Sequence, residues 1–225
     1  MRAIILAAGE GKRLKSVTDN PKCMLEIGGE TLIKRQLRLL EKVHSVPLVV
    51  VGYKHKTLVE HVGWKEFVMN PVWKQSNTLI SLLFAISGSP MDIFVINGDV
   101  IFREDLLPKM LEADYSACAV QSVDPTEEEV KVYHNDKRVT EIGKHLVDSV
   151  KEAVGVYLFR KPLVRAIRDN SYNSYYLKEP WNLYYEDALN EHLAQHPMEM
   201  VETADAVEID TPEDYERAKM LYANC

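Results

Sequence analysis

The chain has 225 residues, 46% hydrophobic and 27% charged, the balance of one globular domain with a buried core. A formal net charge of −7 argues against bulk nucleic-acid binding, and no apolar run approaches the length that spans a bilayer. Cys23, Cys118 and Cys225 are scattered and odd in number, which suggests neither a disulfide framework nor a zinc site and fits a cytoplasmic protein.

Residues 2–8 form an apolar run that predicts a buried first strand. The run ends in Gly9-Glu10-Gly11-Lys12-Arg13 without a small-residue cleavage pattern, so it does not read as a signal peptide. A strand that opens into a glycine loop suits a polyphosphate. Glycine lets backbone N–H groups turn toward oxygens, while Lys12, Arg13 and, after a short polar link, Lys22 neutralise charge. Spacing excludes two common loops. A Walker loop needs Ser or Thr after its lysine, where this chain has Arg13, and a dinucleotide fingerprint needs glycine where it has Leu14.

Leu32, Ile33, Gln36, Leu37 and Leu40 follow helical spacing, and residues 47–53 predict a second strand. Leu79, Leu82, Leu83 and Ile86 predict a helix capped by Ser76 or Asn77. With strands at 92–97 and 115–121, this β-α-β rhythm implies a mostly parallel sheet with helices on both faces. Asp124-Pro125 breaks the pattern, and a meander follows at 129–134 and 137–143, turning at Asn135-Asp136. Residues 152–159 read as a strand, 181–196 as a helix and 207–210 as a last short strand. Thr211 and Pro212 then supply the N-cap and first position of a final helix. We expect one domain over residues 1–225, with a change of pattern near residue 123. Charge is uneven: residues 1–22 carry Arg2, Lys12, Arg13, Lys15 and Lys22 against Glu10 and Asp19, whereas 197–225 carry eight acids against Arg217 and Lys219. A basic patch in an acidic chain suits a small anionic ligand, although helix-surface charge also falls this way.

The string Leu6-Ala7-Ala8-Gly9-x-Gly11-x-Arg13-Leu14, with Pro21-Lys22 behind it, resembles the signature of the nucleotidyltransferases that make sugar nucleotides and CDP-alcohols. The length and later motifs look most like the phosphocholine cytidylyltransferase-type enzymes. The resemblance implies an α/β, Rossmann-like three-layer nucleotidyltransferase fold with a mixed, mostly parallel central sheet. It implies Mg²⁺-dependent transfer of a nucleotidyl group, CMP from CTP above all, to a small phosphorylated acceptor, with release of pyrophosphate. The implied partners are a nucleoside triphosphate and that acceptor, with no nucleic acid and no membrane insertion; a homodimer stays open.

Such a transfer needs no nucleophilic side chain, because the acceptor's own phosphate attacks the α-phosphorus. The protein has to align two anions and neutralise their charge. Gly9, Gly11 and Arg13 fit the triphosphate cradle, with Leu6, Ala7, Ala8 and Lys12 beside them. By resemblance, Lys22 reaches the α-phosphate or the acceptor phosphate, and Arg13 and Lys22 are the catalytic cations. Asn97-Gly98-Asp99 ends an apolar strand at the edge where open α/β sheets bind ligands. A turn aspartate looks the same, but the resemblance makes Asp99 a metal ligand and puts Asn97 and Gly98 beside the nucleotide. Asp210 reads as helix-start decoration or, by resemblance, as the second metal ligand, while Glu208 alternates with it on one strand face as a weaker candidate. Glu186 aligns with an acidic metal- or acceptor-side residue, and a structural role is equally open.

Tyr172, Tyr175, Tyr176, Trp181, Tyr184 and Tyr185 place six aromatics in 14 residues. Aromatic faces attract quaternary ammonium groups, so a choline-like acceptor fits, and a packed aromatic core is the plainer alternative. The acceptor-side set is Lys22, Glu152, Tyr176, Trp181, Tyr185 and Glu186. Asn77-Thr78-Leu79-Ile80-Ser81-Leu82 resembles the Asn-x-x-x-Ser-Leu segment of phosphocholine and inositol-phosphate cytidylyltransferases. There Asn77 and Thr78 read a base edge or ribose, or simply cap the helix. Gly52 and Tyr53 flank the pocket at another strand edge. Cys23 stands where many relatives carry Ala or another small residue, and it reads as a small buried hydrophobe. That departure leaves the acceptor open among phosphocholine, inositol phosphate, aminoethylphosphonate, a phosphorylated amino acid and a sugar 1-phosphate. His44, His55, His61 and His134 read as surface or turn residues. Two other classes stay open: a related-fold glycosyltransferase, which would usually present Asp-x-Asp where this chain has Asn97-Gly98-Asp99, and a non-catalytic nucleotide sensor.

Overall fold

Ala3, Ile4 and Ile5 are buried on both faces of their strand, as they must be in a strand with neighbours on each side. The computed structural model describes residues 1–63, 65–88, 90–122, 129–149, 151–170 and 180–223. In chain order, β1 (Arg2–Ala7) leads through the glycine loop to the small hairpin β2 (Glu26–Ile27) and β3 (Glu30–Thr31). Then come α1 (Leu32–Lys42), β4 (Val46–Val51), α2 (His55–Val62), β5 (Glu66–Met69) and α3 (Thr78–Ala85). β6 (Ile93–Asn97), β7 (Val100–Ile101), α4 (Leu106–Leu111) and β8 (Ser116–Ser122) follow. The second half holds β9 (Lys131–Asn135), β10 (Arg138–Gly143), β11 (Lys151–Phe159), α5 (Lys161–Asn170) and α6 (Tyr185–Asn190). It closes with β12 (Met198–Glu202), β13 (Val207–Glu208) and α7 (Pro212–Leu221).

Nine strands form one sheet in the order β5-β4-β1-β6-β11-β8-β12-β10-β9. It is parallel through β5-β4-β1-β6; β11 then runs antiparallel to both β6 and β8. The sheet is therefore mixed, and β11 from the second half of the chain sits between two strands of the first. α1, α2 and α4 bury Ile33, Leu37, Leu58, Leu106 and Met110 on one face. α3, α5 and α6 bury Leu79, Leu82, Leu163, Ile167 and Leu189 on the other, giving three layers. The chain leaves β1 outward to β4 and β5 and returns to β6 on the opposite side of β1. That reversal opens a crevice at the carboxyl ends of β1 and β6, the place such sheets reserve for ligands.

A third apolar cluster fixes the crevice walls. Leu14, Leu25, Ile101 and Ile209 pack together with Leu32, Val207, Ala218 and Tyr222. Each burial contributes roughly 1.5–3 kcal/mol for a Leu or Ile side chain, and together they hold three distant segments in register. Those segments carry Arg13, Lys22, Asp99 and Asp210.

Several boundaries differ from expectation. The β9–β10 turn is centred on Asp136-Lys137, because Asn135 stays paired with Arg138 and Asp136 takes the left-handed conformation at φ 51°. The 181–196 helix shrinks to Tyr185–Asn190, preceded by a 3-10 turn at Pro180–Asn182. Asn190 ends it by bonding across to β10: its Oδ1 accepts the Ile142 N–H at 2.9 Å and its Nδ2 donates to the Ile142 carbonyl at 2.7 Å. The last strand stops at Glu208, since Asp210 N–H already donates to the Asp214 carboxylate of the α7 cap at 3.2 Å. Asp124-Pro125, Tyr172, Tyr175, Tyr176 and Cys225 lie outside the described residues. No helix among the described residues is long and apolar enough to cross a membrane.

Candidate active site

The glycine loop turns at Gly11, which has φ 62° and ψ 48°, a conformation that L side chains rarely adopt. A Cβ there would lie 3.3 Å from Cβ, Cγ and Cδ of Lys22, so the lysine stem rests directly on the bare glycine. Beyond the turn, Lys12–Leu14 form one 3-10 turn; buried Leu14 anchors it while Lys12 and Arg13 stay outside.

Strand register builds the acidic side. β13 pairs antiparallel with β7, Val207 opposite Ile101 and Glu208 opposite Val100, and the Ile209 N–H donates to the Asp99 carbonyl at 3.0 Å. Asp99, Glu208 and Asp210 thereby bring one carboxylate oxygen each within 4.8 Å of one another. Thr211 and Asp214 cap α7 reciprocally, the Asp214 N–H donating to Thr211 Oγ1 at 3.2 Å and the Thr211 N–H to Asp214 Oδ2 at 2.8 Å, which fixes Asp210 just ahead of the helix. From the other layer, buried Gln36 donates through Nε2 to the carbonyls of Asn97 at 2.9 Å and Val100 at 2.8 Å, clamping the turn that carries Asp99.

Cations meet acids at this point. Lys22 Nζ pairs with Asp99 Oδ2 and with Asp210 Oδ1, the latter at 2.6 Å, while Arg13 pairs with Asp210 Oδ2 at 2.7 Å. Burial alone pulls the Lys22 ammonium down, but Asp99, Asp210 and Glu208 outweigh it and hold the group above its usual range. Burial followed by the Asp99 and Asp210 charges pushes Glu208 up to about 8. Burial also works against the Asp210 carboxylate, yet Lys22 and Arg13 prevail and keep it below its ordinary value. Asp99 Oδ1 is buried with no hydrogen-bond partner, which costs free energy unless something binds it. Three carboxylates in reach of one another, with an orphaned oxygen on Asp99, fit a hard divalent cation such as Mg²⁺.

A cavity of about 310 Å³ opens here, lined by Glu10, Gly11, Lys12, Arg13, Lys22, Trp73, Lys74 and Asp210. A narrow recess beside it touches Leu6, Ala7, Gly9, Lys22, Gly98 and Asp99. Larger cavities of about 390 and 410 Å³ lie around Arg35 and Tyr222 and around Phe84 and Met91; neither is lined by Arg13, Lys22, Asp99 or Asp210.

Residues 3–199 match the model of the MobA-like NTP transferase domain. The chain belongs to that family. It is a nucleotidyltransferase. It is 28% identical to the choline-phosphate cytidylyltransferase of Streptococcus pneumoniae over 100% of this chain and 99% of that protein. It is also 28% identical to the bifunctional protein GlmU of Methanococcus aeolicus, over 72% of this chain but 41% of that longer protein. Among solved structures, the CTP:phosphocholine cytidylyltransferase of Streptococcus pneumoniae superposes with a TM-score of 0.77 at 25% identity, covering 98% of each chain.

In this MobA-like domain, Leu6, Ala7, Ala8, Gly9, Gly11, Lys12, Arg13, Lys22, Gly98, Asp99 and Asp210 gather around the β1–β6 crevice. Gly52 and Tyr53 adjoin it, the Tyr53 N–H donating to the Ala8 carbonyl at 2.9 Å. Other predicted residues are engaged elsewhere. Asn77 donates to the Asn182 carbonyl at 2.9 Å, and Thr78 Oγ1 accepts the Tyr185 N–H at 3.3 Å, so both tether the 180–185 segment to α3. Tyr185 is fully buried, and its hydroxyl donates to Asn97 Oδ1 at 3.1 Å. Trp181 is exposed, and Tyr176 lies outside the described residues. Glu152 is buried against Gln121, with Asp214 and Arg217 as charged neighbours. Glu186 is not in the carboxylate cluster; it is buried beneath the sheet and accepts the Tyr157 hydroxyl at 3.2 Å. Asp187 caps α6 by accepting the Tyr184 N–H at 2.8 Å. Cys23 is a buried thiol whose burial pushes it up to about 12, which suits packing and not nucleophilic attack.

Sequence reading undervalued Glu208 and passed over Lys144, Gln36 as a clamp, and Trp73. Lys144 follows β10, stands 5.6 Å over the Tyr184 ring, and its charge acts on both Glu208 and Asp210. Nothing in its local spacing marks it.

Glu186 gives a stability prediction. Burial raises its carboxyl from 4.5 to about 7, so between those values the folded state holds a proton the unfolded chain has lost. Its favourable contribution is complete below the unfolded value and fades as pH rises through the folded one. We expect urea unfolding to show a loss of about 3 kcal/mol across this window. Glu186→Gln should flatten that slope; an unchanged slope would place its source elsewhere.

Proposed function

We propose that this nucleotidyltransferase carries out Mg²⁺-dependent transfer of CMP from CTP to a small phosphorylated alcohol, phosphocholine-like in character, releasing pyrophosphate. The observation that carries this reading is the meeting of Arg13 and Lys22 with Asp99, Glu208 and Asp210, which come from three distant stretches of chain. The full-length similarity to a protein named choline-phosphate cytidylyltransferase supports the choice of cytidine and of an alcohol phosphate.

An acceptor phosphate oxygen forms the new bond to the α-phosphorus. The bond from that phosphorus to the bridging oxygen breaks, and the electron pair leaves with pyrophosphate. Both reactants are anions, so most of the catalysis lies in alignment and charge neutralisation. Loop N–H groups with Lys12 and Arg13 hold the terminal phosphates. Lys22 reaches both the loop and the acids, so its ammonium neutralises the phosphate at their boundary. Asp99, Glu208 and Asp210 would hold Mg²⁺, which when bound supplies Lewis-acid polarisation of phosphoryl oxygens. On the acceptor side, Lys144 adds a cation, and the exposed rings of Trp181 and Tyr184 suit a quaternary ammonium group. Residues 1–122 thus serve mainly the nucleotide and 123–225 mainly the acceptor, with Asp210 joining the two. We place the reaction in the cytoplasm, in keeping with the buried free thiols of Cys23 and Cys118.

The test crosses four nucleoside triphosphates with choline phosphate, inositol phosphate, aminoethylphosphonate and hexose 1-phosphates, reading pyrophosphate release. The fastest release is expected with CTP and an alcohol phosphate. Fastest release with a hexose 1-phosphate would overturn the acceptor class, and no release with any pair would overturn the reaction.

A further inference from the structure

Trp73 is the aromatic side chain on the wall of the cation-lined cavity. Its surroundings are built with unusual care for a surface turn. Asn70 is fully buried and organises residues 70–76: Oδ1 accepts the Val72 N–H at 3.0 Å, and Nδ2 donates to Ser76 Oγ at 3.1 Å and Ser81 Oγ at 2.9 Å. The Asn70 N–H ties the turn to β4 by donating to the Val51 carbonyl at 2.9 Å. Gly52 leaves no space on the other side. A Cβ there would lie 2.7 Å from Trp73 Cβ and Cγ and 2.6 Å from the Ala8 carbonyl oxygen. The Tyr53 ring meets the indole edgewise, with centroids 5.6 Å apart and planes at 64°.

The indole is thus clamped at its base and along one edge and packs against the core, yet it remains partly exposed. A tryptophan that serves only the core hides its ring and gives its N–H a partner; among the described residues no hydrogen bond involves the Trp73 indole N–H. The charges beside it, Lys12, Arg13, Lys22 and Lys74, leave the phosphates well served and the base of a nucleotide without a partner. A rigid aromatic face adjoining a triphosphate cradle supplies that partner, since every base has a π-face to stack.

We propose that Trp73 is the stacking platform for the nucleobase of the bound triphosphate, an inference that rests on the nucleotidyl-transfer reading above. It contributes affinity, while selection among bases falls to other groups. Trp73→Ala should raise KM for CTP by about 5- to 150-fold, the span that base–aromatic stacking covers. Because stacking acts equally in ground and transition states, kcat should stay within about threefold. Trp73→Phe should recover most of the loss.

Indole fluorescence supplies the second readout. CTP should quench emission of the wild-type protein, inorganic triphosphate should not, and in Trp73→Phe the CTP quench should vanish. A quench that persists in Trp73→Phe, a quench by triphosphate alone, or an unchanged KM in Trp73→Ala would overturn the assignment. A choline phosphate quench present in the wild type and lost in Trp73→Phe would instead give the ring to the acceptor and equally overturn it. Wild-type turnover, measured alongside, separates the two ideas. Active enzyme with indifferent Trp73 variants sinks only the stacking role, whereas absence of turnover with every nucleotide sinks the reaction itself.

Discussion

Asp99→Asn should lower kcat for pyrophosphate release by about 10²–10³-fold, the loss expected when a group stabilising transition-state charge is removed. The side chain is 10% exposed, and its Oδ1 has no protein partner, so the burial of that oxygen is a cost the fold bears without local return. Asparagine keeps the volume and removes the charge. If Asp99 were only a turn residue after β6, the substitution would leave turnover within a few-fold of wild type. If it helps to hold a divalent cation, the concentration of Mg²⁺ needed for half-maximal rate should rise together with the fall in kcat. Steady-state rates across a Mg²⁺ series measure both, and an unchanged metal requirement would contradict the role.

Lys22→Met should cost comparable activity and should also unfold the protein more easily. Lys22 bridges Asp99 and Asp210 with its own side chain 20% exposed. Removing one partner from a largely buried ion pair costs about 3–5 kcal/mol, because the remaining charges are left uncompensated. Asp99, Glu208 and Asp210 would then face one another without the ammonium that pairs with Asp99 and Asp210; among the described residues Arg13 still pairs with Asp210, and the charge of Lys144 acts on Glu208 and Asp210. The same reasoning makes the variant depend on added cations: its Tm should climb with Mg²⁺ more steeply than that of the wild type. Calorimetry with and without Mg²⁺ decides this, and a Tm equal to the wild type's in the absence of metal would contradict the electrostatic account.

The alternation of strands and helices was legible because burial on both faces of a central strand demands continuous apolar runs. Thr211-Pro212 was legible because a cap is local chemistry. What the chain concealed was non-local. The insertion of β11 between β6 and β8 follows from long-range pairing that no window of sequence displays. Asp210 drew notice through its neighbours, but its distance from Asp99 depends on the β7–β13 register. Glu208 looked secondary for the same reason. Asn77 and Thr78 read equally as ligands or tethers, since a small polar side chain at a helix start serves either purpose; the 180–185 segment occupies them. Glu186 reads equally as a site residue or a structural one, and Tyr185 as an acceptor contact or part of a packed aromatic core; packing of α6 onto the sheet buries both. Lys144 and Trp73 stand alone in sequence, and only folding gives them neighbours.

A crystal structure with Mg²⁺ and a non-hydrolysable CTP analogue tests the central claim most directly. The account predicts the triphosphate against residues 9–13, with a cation held by Asp99 and Asp210 between it and Lys22. Nucleotide density in the cavity at Arg35 and Tyr222, or a metal bound away from Asp99 and Asp210, would contradict it.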